Sequence, residues 1–161
     1  EKAMQTAFAE NRIQKKYWAI VRGHTTDYQE IDYPLKKENG TLQEAFTAYK
    51  TLNRAELDVP LGAHPSSRYS LVEARPTTGR MHQLRKHFSH IFHPIIGDRT
   101  HGCNKQNRMF KEKWQMETML LHAAEISFQH PTFDKKITIK APLQKEFLNV
   151  MKIMNWQNEL D

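Results

Sequence analysis

Residues 75–102 read RPTTGRMHQLRKHFSHIFHPIIGDRTHG, and three signals inside this stretch decide how the chain folds around it. Thr77-Thr78-Gly79 is a turn sequence. Met81 to Phe92 then carries apolar residues at helical spacing, and Pro94 disfavours helix at and before His93, so the chain must leave in an extended path. On a helical wheel Met81, Leu84, Phe88, Ile91 and Phe92 form one apolar stripe, and Arg85 falls within its angular range. A guanidinium is thereby turned toward the core side. An unpaired buried charge is strongly unfavourable, which leaves two readings open: Arg85 snorkels along the stripe on its methylenes, or it meets an anion.

Outward from this helix the charge is concentrated. Between Arg75 and Lys113 nine Lys or Arg (Arg75, Arg80, Arg85, Lys86, Arg99, Lys105, Arg108, Lys111, Lys113) face two acids (Asp98, Glu112), or +7. The other residues hold fifteen against sixteen, or −1, so the formal net charge of +6 arises in this block. Such a block favours a polyanion partner, because each phosphate contact releases condensed counterions; a solvated basic face is the plainer alternative.

The remaining composition sets bounds. A chain of 161 residues with 39% hydrophobic content suits one domain, residues 1–161, with its own core. Cys103 is the sole cysteine, which excludes an intrachain disulfide and favours a cytoplasmic location. The sequence has no apolar run long enough for a spanning helix and no signal-peptide pattern, so no membrane partner is expected.

Along the chain, Glu1 to Asn11 reads as the end of an amphipathic helix, with Ala3, Met4, Ala7 and Phe8 at helical spacing. Lys15 to Arg22, KKYWAIVR, carries apolar residues on both alternating faces and predicts a central strand ending at Gly23. Glu44 to Leu52 fits strand or helix and is read as strand. Leu57 to Leu61 and Arg68 to Ala74 predict two short strands around a 62–67 loop. Leu120 to Gln129 and Lys135 to Lys140 predict another pair, and Leu143 to Trp156 a closing helix. The fold class is α+β, a mixed, largely antiparallel sheet with flanking helices.

Several of these segments carry a family likeness, in order, across nearly the whole chain. They are Lys16-Tyr17-Trp18-Ala19-Ile20-Val21-Arg22-Gly23, Gln43 to Tyr49, Gly79-Arg80-Met81-His82-Gln83-Leu84-Arg85, His93-Pro94-Ile95-Ile96-Gly97-Asp98 with His101-Gly102, and Leu120-Leu121-His122-Ala123. The set resembles the RluA-type pseudouridine synthases. The turn motif with Gln106-Asn107-Arg108 is most similar to the tRNA pseudouridine synthase C branch rather than to the large-subunit ribosomal RNA enzymes.

The resemblance implies the family's catalytic fold and isomerisation of uridine to pseudouridine in tRNA, at uridine 65. It implies that Arg85 pairs with the catalytic aspartate and that Tyr17 is the active-site tyrosine, able to stack on a uracil. Arg75, Arg80, His82, Lys86, Arg99, Lys105 and Arg108 are the expected RNA contacts. The implied chemistry requires no cofactor, and no phosphate-binding glycine loop is present. His82, His87, His90 and His93 share no face at ligand spacing with a carboxylate or cysteine, so no metal is assigned and they are expected to face solvent or RNA.

One departure matters. The family's nucleophile sits in a His-Arg-Leu-Asp run, and none of Asp27, Asp32, Asp58, Asp98, Asp134 or Asp161 follows such a triplet. The expectation is therefore the C-terminal part of a catalytic domain, inactive alone, with no obligate protein partner. A noncatalytic RNA-binding module, or a ribosomal RNA synthase, are the alternatives.

Overall fold

A computed structural model describes residues 13–160; the helix expected over Glu1 to Asn11 lies outside them. The strands are β1 Gln14–Arg22, β2 Tyr28–Asp32, β3 Leu35–Lys36, β4 Leu42–Gln43, β5 Phe46–Leu57, β6 Ser67–Pro76, β7 Leu121–Gln129 and β8 Lys136–Lys140. The helices are α1 Gln83–His90, α2 Asn104–Trp114 and α3 Lys145–Ile153, followed by a short 3-10 turn, Gln157–Leu160. Six strands form one sheet in the order β2-β5-β6-β1-β7-β8, and β3 pairs with β4 as a separate hairpin. Every pairing in both sheets is antiparallel. Among the described residues no helix is long and apolar enough to cross a membrane.

The two-faced pattern of β1 is what organises the core. Ala19 and Val21 join Val72 and Ala74 of β6 on one face, under Leu84 and Phe88 of α1. Ile20 joins Tyr69 and Leu71 on the other, against Phe110 of α2 and Phe147, Val150 and Met151 of α3. With period-2 alternation, one interior strand thus supplies two separate apolar clusters. After α1, the extended segment His93 to Gly97 lies along the C-terminal half of β1, where Arg22 N–H donates to the Pro94 carbonyl at 3.0 Å and Ile96 N–H to the Ile20 carbonyl at 3.0 Å.

Several expectations are corrected. Leu57 to Leu61 is not a strand of its own: β5 continues to Leu57, paired with β6 across a register shift between Thr51 and Asn53, and Leu61 makes only an isolated bridge to His64. Helix α1 is shorter than Met81 to Phe92. His82 and Phe92 adopt left-handed backbone, φ 53° and 67°, and Met81 and Phe92 are exposed instead of completing the apolar stripe. The closing helix likewise ends at Ile153, and Trp156 packs back into the core from beyond it. Strands β2, β3 and β4, helix α2 and the 3-10 turn had no sequence reading. Edge strand β2 buries only Ile31, and α2, NKQNRMFKEKW, has too few apolar residues to show a stripe.

Candidate active site around Arg85

Helix α1 is anchored differently on its two flanks. On one, Gln83 and His87 make a buried network of neutral groups. The Gln83 amide nitrogen donates to the Phe46 carbonyl and to Thr47 Oγ1, both at 3.0 Å, while its oxygen accepts from Thr78 Oγ1 at 2.7 Å and Arg80 N–H at 3.0 Å. His87 Nδ1 meets Thr47 Oγ1 at 2.8 Å and Nε2 meets the Tyr33 carbonyl at 2.9 Å. A carbonyl can only accept, so Nε2 carries the proton and Nδ1 accepts from the threonine. His87 is wholly buried, which corrects its expected placement toward solvent or RNA. Burial pushes its pKa below the ordinary histidine value, only partly opposed by the Tyr33 carbonyl.

The opposite flank carries charge. Arg85 Nε and Nη2 bond Asp98 Oδ2 and Oδ1 at 3.1 and 2.8 Å, a side-on fork to a carboxylate that is 1% exposed. The anion that the wheel position of Arg85 called for is therefore present within the chain, and snorkelling is not its solution. Asp98 Oδ1 also accepts from the backbone N–H of Thr100 and His101 at 3.1 and 3.0 Å. Burial alone would raise the Asp98 carboxyl, but the Arg85 guanidinium and these two amides outweigh it and hold its pKa below the usual carboxylate range. Among the described residues Nη1 of Arg85 has no hydrogen-bond partner, and the Arg85 side chain is 18% exposed.

The turn holding Asp98 is fixed from outside. Asn107 of α2 accepts from Gly97 N–H at 2.8 Å and donates to the Asp98 carbonyl at 3.0 Å. A Cβ at Gly102 would fall on that same carbonyl, and one at Gly97, where φ is +88°, on the Thr118 carbonyl. Both glycines are required by close backbone approach. This turn also brings His101 against His82, with His101 Nε2 3.4 Å from His82 Nδ1. Desolvation lowers the His101 pKa, with Asp98 opposing and Arg85, His82 and Lys86 reinforcing the shift.

Tyr17 shares a sheet face with this helix: it packs against the cluster containing Leu84 and Phe88. It lies opposite Ala74 of β6, and a register shift in the β1–β7 ladder falls between Lys16 and Tyr17. Such bulges re-aim side chains. Lys15, two residues earlier, rests its ammonium at the Gly79 turn, within 2.9 Å of where a Cβ would sit, and desolvation lowers its pKa.

The expected RNA contacts do not form one surface. Arg80, His82 and Lys86 surround the start of α1, with Arg80 Nε bonded to the Glu44 carbonyl at 2.8 Å. Arg99 and Arg108 line a second concavity with Lys111, beside Glu117. Lys105 is exposed on α2, whose Phe110 packs on the other sheet face. Arg75 lies with Lys16 and Lys50 around the buried carboxylate of Glu73. Sequence reading missed Asp98 as the Arg85 partner, and missed Asn107 and His101. The two glycines flanking Asp98 were the available signal.

The chain is similar to known proteins in sequence and in fold. The family model described as RNA pseudouridylate synthase matches residues 2–90. The tRNA pseudouridine synthase C of Vibrio cholerae serotype O1 is 38% identical over 164 residues, covering 95% of this chain and 67% of that protein. The one from Haemophilus ducreyi is 39% identical over 163 residues, with the same coverages of 95% and 67%. The Pectobacterium carotovorum protein of that name is 37% identical over 170 residues, but the chain spans only 45% of its length. Human RNA Pseudouridylate Synthase Domain Containing 1 superposes with a TM-score of 0.70 at 24% identity, covering 88% of this chain and 59% of that one. For Domain Containing 4 the TM-score is 0.70 at 22% identity, covering 96% and 67%; at these identities the likeness is one of fold. With the family model spanning more than half of the chain and the tRNA pseudouridine synthase C sequences aligned along nearly all of it, the chain belongs to the RNA pseudouridylate synthase family.

Proposed function

We propose that this chain forms the tyrosine and arginine half of the active site of an enzyme that isomerises uridine to pseudouridine in tRNA, at uridine 65. The observation that carries this reading is the Arg85 guanidinium. One edge is locked by buried Asp98, Nη1 has no hydrogen-bond partner among the described residues, and Tyr17 packs against the cluster that holds Leu84 of the same helix. A cation so fixed holds a second carboxylate ionised and oriented, the task of the nucleophile's partner. Asp98 does not serve as that nucleophile, because its oxygens are committed to Arg85, Thr100 and His101.

The nucleophile is an aspartate outside these 161 residues, which contain no His-Arg-Leu-Asp run. Tyr17 forms a pocket wall on which the extruded uracil stacks, and Arg80, His82 and Lys86 engage the RNA backbone beside it, with Arg75, Arg99, Lys105 and Arg108 contributing more distant basic surface. Cleavage of the glycosidic bond, rotation of the base and formation of the carbon glycoside change no oxidation state, and the protein side chains supply the chemistry. No protein partner is invoked.

The test is tritium release from tRNA labelled at the uracil carbon that becomes glycosidic. This chain alone should release none, and a protein extended upstream to include a His-Arg-Leu-Asp segment should release it. Release by the chain alone would refute the missing-nucleophile reading; none from either, with salt-dependent tRNA binding kept, would favour a noncatalytic RNA-binding module.

A further inference from the structure

We propose that the flank of α1 turned away from Arg85 is a second RNA contact, a basic groove that ends in a stacking platform for an unpaired nucleobase. It rests on the RNA-modifying reading above and joins Arg80 and Lys86 of the basic block to Lys36, Lys37 and Tyr33, which lie outside that block. A groove of about 610 Å³ separates the β3–β4 hairpin from the start of α1. Lys36 and Lys37 line it from the hairpin, Arg80, Met81 and Lys86 from the other side, and Glu38 is the single acid among its lining residues. Four cations against one carboxylate suit a phosphate chain. Met81 is 65% exposed at its edge, an apolar surface that a purely solvated basic face would not require.

One helical turn beyond Lys86, His90 stacks on Tyr33 with ring centroids 3.5 Å apart and planes 13° from parallel. The backbone beneath this pair is pinned twice. Tyr33 N–H donates to the Ala45 carbonyl at 3.1 Å, and the Tyr33 carbonyl accepts from buried His87 at 2.9 Å. The rings are thus held before any ligand arrives, which lowers the ordering cost of binding. Tyr33 remains 41% exposed and His90 is exposed, so the stack has surface left for another ring. A duplex presents no free base face, whereas a looped-out or single-stranded nucleotide does, and aromatic platforms beside cationic grooves take such nucleotides. An acidic protein segment would use the lysines but not the stack.

Fluorescence anisotropy of this chain with a labelled unmodified tRNA transcript, over a salt series, tests the proposal. The exposed pair Lys36→Gln/Lys37→Gln should reduce the slope of log affinity against log salt by about 1.4 to 1.8, the value for two lost phosphate contacts. Tyr33→Ala should weaken binding about tenfold, while Tyr33→Phe, which keeps the stack, binds as the wild type does. Salt-dependent wild-type binding that is untouched by both the lysine pair and Tyr33→Ala overturns the groove and leaves the RNA reading standing. Absence of salt-dependent binding by the wild type overturns both.

Discussion

The two flanks of α1 do opposite things with the same helix. On one flank the buried side chains of Gln83 and His87 are neutral and fully matched by hydrogen bonds within the fold. On the Arg85 side a charged fork to Asp98 uses one edge of the guanidinium and leaves the other. A fully satisfied neutral network fixes position, and a part-satisfied charge at the rim of the same core has donors to spare. The first flank seats the helix; the second aims it.

Breaking the charged flank should have the largest effect on stability. Asp98→Ala leaves Arg85 without its carboxylate and frees two backbone amides, and is expected to cost about 4 kcal/mol in urea denaturation. Adding Arg85→Met should recover about 2 kcal/mol of that loss, since it removes the stranded charge. If the double variant is no more stable than Asp98→Ala alone, the pair is not the anchor described here. On the neutral flank, His87→Ala deletes two hydrogen bonds and should cost about 2 kcal/mol in the same assay.

The smallest expected effect is a pH dependence that separates the flanks. Burial holds the folded pKa of His87 below the ordinary histidine value of 6.5, so just below that pH the unfolded chain binds a proton that the folded chain does not. Stability from this group is present above 6.5 and is lost as pH falls from there toward the folded value. His87→Gln should remove that increment. Asp98, whose pKa is lowered from 3.8, contributes its stability above that value and loses it only in stronger acid. A wild-type and His87→Gln difference that is flat from pH 7.5 to 5.5 would assign the titration elsewhere.

Where the sequence was legible, a strong local signal coincided with the tertiary role. KKYWAIVR alternates cleanly because β1 is interior with a core on each face, and Pro94 ends α1 where the chain must turn to run beside β1. Arg85 stood out because a charge within an apolar stripe demands a partner. That partner was not legible, because Asp98 reaches it only after the chain has turned at Pro94, and its pairing depends on Asn107 from a helix whose apolar residues are few, Met109, Phe110 and Trp114. His87 was misplaced for the reverse reason: one of four histidines between His82 and His93, next to Arg85 and Lys86, carries no local mark of burial. Charge counting gathered nine cations into one block, yet the fold distributes them over both sheet faces and omits Lys36 and Lys37 of the groove.

The central claim is that Arg85 aims a catalytic half-site, and tritium release by the upstream-extended protein tests it most directly when wild type and Arg85→Ala are compared at equal folded concentration. A loss of at least about 100-fold in turnover, with a folded variant by near-ultraviolet circular dichroism, is the expected result. Release within a few-fold of the wild type would contradict the account, and would reduce the Arg85–Asp98 pair to a structural clasp.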